Sequence, residues 1–170
     1  HELWSDQDLT EAERVVRLIE ENRLEVIRLS YPDQHGILRG KTIMASEAEQ
    51  AMRNGCGITT TLLAKDTSHT TVFPVFSPGG GFGIPEMENA GDFIAVPVPS
   101  TFRVLPWAPG TGWVLCDGYL ANGEPVPFSA RHVLKNALSR LEEQGFDYIA
   151  GIEVECHIYR LEDPMLRPED

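Results

Sequence analysis

"LEVIRLSYPDQHGILRGKTIMA", residues 24–45, decides how the chain begins to fold. Ile27, Leu29 and Tyr31 alternate with Arg28 and Ser30, the period of two that sends successive side chains to opposite faces of a strand. "PDQHG" supplies turn residues, and "ILRGKTIMA" resumes an extended pattern, so the stretch reads as a β-hairpin. Upstream, Thr10 and Glu13 stand at capping-box spacing, and Ala12, Val15, Val16 and Ile19 recur at helical intervals, predicting an amphipathic helix over 10–22. Downstream, "ASEAEQAMRNG" reads as a short helix ending at Asn54, with Gly55 suited to a left-handed cap.

Further along the periodicity weakens. From 57 to 100 the chain mixes strand formers with polar residues and then, over 77–92, becomes rich in glycine and proline, which reads as a loop. "FIAVPV" at 93–98 and "WVLCDGY" at 113–119 read as strands. Helix, hairpin, helix and further strands make a small α+β domain. A boundary falls near 122–128, where "NGEPVPF" carries two prolines and a tight turn. Beyond it, Ser129 can cap a helix running to Gln144, with Val133, Leu134, Ala137, Leu138 and Leu141 on one face and Gly145 as the stop signal.

Of 170 residues 42% are hydrophobic, enough for a real core, and 26 acidic against 14 basic residues give a formal charge of -12. That balance disfavours nucleic acid and anionic membrane surfaces as partners and makes a metal cation the more natural guest. Cys56, Cys116 and Cys156 lie far apart without C-x-x-C spacing, which predicts buried free thiols in a reducing compartment. With no apolar run of about 18 residues and no signal-peptide pattern, the expected location is the cytoplasm.

The last distinctive segment is "GIEVECHIYRLED", residues 151–163. Read as a strand, it groups Tyr148, Ala150, Ile152, Val154, Cys156 and Ile158 on one face and Glu153, Glu155 and His157 on the other. Carboxylates two residues apart on a strand face lie roughly 7 Å from one another, which permits metal binding without requiring it. An ordinary half-exposed strand shows the same alternation.

Four segments in one order resemble the N-terminal portion of the glutamine synthetase family: "VIRLSYPDQHGILRGK" from residue 26, "LAKDTS" from 63, "GDFIAVPVPSTFRVLPWAPGTGWVLCDGYLANGEPVPFSAR" from 91 and "GIEVECHIY" from 151. The resemblance covers nearly all of residues 24–163. It implies a β-grasp domain over 1–122 and, over 123–170, the first helix and strand of an incomplete glutamine synthetase-type catalytic domain. It further implies that Glu153 and Glu155 hold Mg²⁺ or Mn²⁺ beside the phosphates of ATP. By the same resemblance Asp66 binds the ammonium and accepts its proton in a neighbouring subunit's active site, and Asp92 lies near that site. His157 stands outside the ligand set, as a hydrogen-bonded histidine at its edge. Pro106 and Trp107 pack at an interface or junction, and "SPGGGFG", residues 77–83, is a loop that bears on which amine is accepted rather than a phosphate loop.

The implied activity is ATP-dependent carbon–nitrogen ligation: glutamate is phosphorylated to γ-glutamyl phosphate, and ammonia or another amine displaces the phosphate. The expected partners are glutamate, ATP and the amine, with no nucleic acid and no membrane. Family members assemble as rings, so the complete protein is expected to be a homo-oligomer, a dodecamer, and the 170-residue piece is expected to be inactive alone. The rival reading is a non-catalytic assembly module that keeps the fold.

Overall fold

The structure, a computed structural model, describes residues 3–160 and residue 165. It divides into two compact units, His1–Ala137 and Leu138–Asp170.

In the first unit, helix α1 spans Asp6–Glu21 and starts earlier than the Thr10 spacing predicts. Ser5 caps it: the Ser5 hydroxyl accepts the Asp8 N–H at 3.2 Å, and the Asp8 carboxylate accepts the Ser5 N–H at 2.9 Å. Thr10 lies inside the helix and turns its hydroxyl back onto the Asp6 carbonyl, 2.9 Å away. Ala12, Val15 and Ile19 form the buried stripe. Strands β1 (Val26–Pro32) and β2 (Leu38–Met44) make the expected antiparallel hairpin, and helix α2 (Ala48–Asn54) stops at Gly55. Strand β3 (Cys56–Thr59) is followed by irregular chain and short 3-10 turns as far as β4 (Asp92–Pro97). The two-residue β5 (Arg103–Val104) and the long β6 (Thr111–Tyr119) complete the sheet.

The strand order is β2-β1-β6-β4-β3, with β5 also on β6. β1 and β6 run parallel and every other pair is antiparallel, so the fold is α+β with a mixed sheet. Phe93, Ile27, Leu29, Met52, Met87 and Val114 are among its fully buried side chains. Gly40 is obligatory in β2, because a Cβ there would stand 1.8 Å from the Leu29 carbonyl oxygen of β1.

Helix α3 spans Ala130–Glu143 and crosses from the first unit into the second. Its start is pinned to β6 through Asp117, whose carboxylate takes Arg131 Nε at 2.7 Å and Lys135 Nζ. Its end is a Schellman cap: Gly145 at φ +78 donates to Glu142, and Phe146 donates to the Leu141 carbonyl. The apolar positions Val133, Leu134, Leu138 and Leu141 are exposed, whereas His132 is the buried residue.

The strand expected around Glu153 is not formed. Residues 146–160 adopt no regular structure, and the face expected to be buried is open, with Ile152 92% and Ile158 94% exposed. A strand persists only where a neighbour accepts its ladder hydrogen bonds and covers its apolar face, and no described residue does either. The cysteines also differ from expectation: all three are free, but only Cys116 is buried, Cys56 being half-buried and Cys156 exposed. Burial pushes the Cys116 thiol up to about 12, leaving it protonated and unreactive at neutral pH.

Candidate functional site

The chain from Thr60 makes one 3-10 stretch to Ala64 and then a short loop around Asp66. Lys65 and Thr71 bridge its stem. Within it Asp66 Oδ1 accepts three hydrogen bonds, from Ser68 N at 2.9 Å, Ser68 Oγ at 2.8 Å and Thr70 N at 2.8 Å. The Thr70 N–H, then the Ser68 hydroxyl, hold this carboxyl below the usual aspartate range, so it is ionised at neutral pH. None of the described hydrogen bonds falls on Oδ2. Asp66 thus braces its own loop with one oxygen and leaves the other open to solvent.

The loop leans on the hairpin turn. Gln34 Nε2 donates to the Lys65 carbonyl at 2.9 Å, and Arg39 Nη1 lies 3.2 Å from both ring nitrogens of His69, a residue at φ +68. Arg39 is itself fixed by a buried ion pair, its Nε 2.6 Å from Asp33 Oδ2, while Asp33 Oδ1 caps the N–H groups of His35 and Ile37. Burial alone would raise the Asp33 carboxyl, but the Arg39 guanidinium and the two backbone donors outweigh it and leave it below its ordinary value. Arg39 and Tyr31 face one another across β1 and β2, and both keep a buried polar atom, Arg39 Nη2 and the Tyr31 hydroxyl, without a partner among the described residues. The Asp33–Arg39–His69 chain escaped the sequence reading. Its signal was an acid and a base flanking one tight turn, six residues apart.

A groove of about 290 Å³ opens at the base of the Asp66 loop, lined by Gln34, Leu63, Ala64, Val72, Phe82 and Phe128. Phe82 comes from the glycine-rich segment and sits at φ +60, unusual for an aromatic residue. Its ring lies 4.9 Å from Phe73 and 6.1 Å from Phe128.

None of the described contacts joins the other expected site residues to this cluster. Asp92 is exposed at the start of β4 opposite Thr59, and none of the described hydrogen bonds or ion pairs joins it to Asp66. Glu153 and Glu155 belong to the second unit and are exposed. They are the oxygen donors a hard divalent cation takes, but among the described residues no three His, Cys, Asp or Glu side chains converge on a metal position. The donor chemistry fits Mg²⁺ or Mn²⁺, and the ligand set is incomplete within these residues. His157, also exposed, stacks on Tyr159 with ring centroids 6.1 Å apart, and Trp107 is 75% exposed. No helix among the described residues is long and apolar enough to cross a membrane.

No protein-family model matches the chain. Individual relatives do. It is 38% identical over 170 residues to the gamma-glutamylanilide synthase of an Acinetobacter species, covering 98% of this chain and 34% of that protein. It is 31% identical over 156 residues to the glutamine synthetase of Methanosarcina mazei, covering 90% of this chain and 31% of that protein. Among solved structures, the GmaS complex with ADP superposes with a TM-score of 0.57 over 76% of this chain and 25% of that one, at 24% identity, so the fold is shared. The chain therefore spans about a third of the length of the curated relatives it matches. With 38% identity to one of these relatives over 98% of its length and 31% to the other over 90%, the chain belongs to the glutamine synthetase family.

Proposed function

We propose that the complete protein joins the γ-carboxyl group of glutamate to an amine at the expense of ATP, and that this chain contributes the amine-binding carboxylate and the first metal ligands. The similarity to gamma-glutamylanilide synthase across 98% of the chain carries this reading. On it, residues 1–122 are the β-grasp domain, which the parallel pairing of β1 with β6 supports, and 123–170 begin the catalytic domain. The protein works in the cytoplasm as a homo-oligomeric ring, and the 170 residues alone are inactive.

The carboxylate of glutamate attacks the terminal phosphorus of ATP, releasing ADP, and the amine nitrogen then attacks the γ-carbon, releasing phosphate. Asp66 Oδ2 accepts an N–H of the incoming nitrogen, which attacks as the neutral amine, an ammonium ion first giving its extra proton to solvent. Although Asp66 is a weak base, the nitrogen loses its own basicity as it bonds to the carbonyl carbon, and its proton can then pass to the carboxylate. Asp92 lies near the same reacting amine. Glu153 and Glu155 hold the divalent cations, which when bound neutralise charge on the transferring phosphoryl group.

The test is ATP turnover by the full-length gene product with glutamate, Mg²⁺ and a panel of amines. Amine-dependent turnover is expected, and Glu153→Ala and Glu155→Ala should each reduce it at least about a hundredfold. No turnover with any amine would replace this reading with the non-catalytic assembly module.

A further inference from the structure

We propose that the groove at the base of the Asp66 loop seats the apolar substituent of the acceptor amine, so that aryl and branched-alkyl primary amines are preferred over ammonia. The proposal rests on the ligase reading and names its nucleophile. Ala64 and Val72 close the stem of the loop, with Val72 N donating to the Ala64 carbonyl at 3.1 Å, and both line the groove. Asp66 lies two residues beyond Ala64, a backbone reach of no more than about 7 Å. One short loop therefore presents at its neck a carboxylate oxygen with no hydrogen-bond partner among the described residues, two residues along the chain from an apolar recess at its foot. This is the polarity of a primary amine, a hydrogen-bond donor at nitrogen and apolar beyond it.

The recess is more apolar than a site for ammonia needs. Its one polar liner, Gln34, already has its amide N–H on the Lys65 carbonyl. Val72 and Phe82 remain 56% and 57% exposed along the rim, an unfavourable state for large apolar side chains unless something covers them. Phe82 is held there by a left-handed backbone conformation that costs an aromatic residue free energy and is backed by the buried Phe73, while Phe128, which also lines the groove, adds a ring for an aryl group to pack against. Ammonia would use none of these surfaces.

The experiment measures kcat/KM of the full-length product with aniline, isopropylamine and ammonium, for the unaltered protein and for Phe82→Ala, Val72→Ser and Phe82→Leu. The unaltered protein should favour aniline and isopropylamine over ammonium. The ratio of aniline to ammonium should fall by about tenfold or more in Phe82→Ala and fall also in Val72→Ser, while Phe82→Leu restores part of it. Val72 is exposed, so its variant keeps the test valid if Phe82→Ala fails to fold. Turnover that favours ammonium, or a ratio untouched by both substitutions, overturns the groove proposal and leaves the ligase standing; absence of turnover with every amine overturns both.

Discussion

Asp66 illustrates how one side chain can serve its loop and its chemistry separately. Oδ1 organises Ser68 and Thr70, and on the proposed mechanism Oδ2 meets the amine. Asp66→Asn retains an acceptor for those two N–H groups and removes only the charge, whereas Asp66→Ala removes both. On the proposed mechanism both variants should slow amide formation at least about a hundredfold while glutamate-dependent ADP release falls far less. Equal loss of the two steps, measured side by side, would exclude a role with the amine. The sequence offered Asp66 only through its family resemblance, because nothing local distinguishes "KDTS" from other turns. Phe82 was harder still: its place beside Ala64 and Val72 depends on the chain between β3 and β4 folding back, a long-range event that no local periodicity records.

Among the elements, the hairpin and α2 were legible because their period, turn residues and stop signal agree. The start of α1 was misread because Ser5-x-x-Asp8 and Thr10-x-x-Glu13 offer the same cap, and the earlier one yields an extra turn of helix. The segment 146–160 was misread for a different reason: alternation describes what a strand would look like but supplies no neighbour to bond it. Two carboxylates tie elements together through ion pairs, and their surroundings rank them. Asp33 and Arg39 are both buried, with side chains 0% and 5% exposed, so Asp33→Ala strands a guanidinium and should cost about 3 kcal/mol or more. Asp117 is equally enclosed, but Lys135 is 51% exposed and Arg131 23%, so after Asp117→Ala those cations can turn to water. That variant should lose only about half as much, as judged by urea midpoints of the two proteins at unchanged slope.

For the whole molecule these carboxylates set the response to acid. Asp33 and Asp117 both titrate below their ordinary range, since Arg39 in one case and Lys135 with Arg131 in the other outweigh the cost of burial. Their contribution is complete above about pH 4, the unfolded value, and disappears as pH falls through the lower folded values. His132 adds a gentler slope earlier. Burial lowers its affinity for a proton, so below about pH 6.5 the unfolded chain binds the proton more readily and stability begins to fall. Thermal midpoints across a pH series should therefore decline mildly below about pH 6.5 and steeply below about pH 4, and Asp33→Asn with Asp117→Asn should flatten the steep limb. A further consequence lies in β6, which joins β2-β1 on one side to β4-β3 on the other. Without it the sheet is two unconnected ribbons. Val26–Ser30 must wait for Thr111–Leu115 before the centre of the domain can close, so a chain emerging from the ribosome stays divided until most of this domain has been synthesised. The central strand is thus also the timekeeper of folding, and the apolar residues of β1 remain open to wrong partners until it arrives.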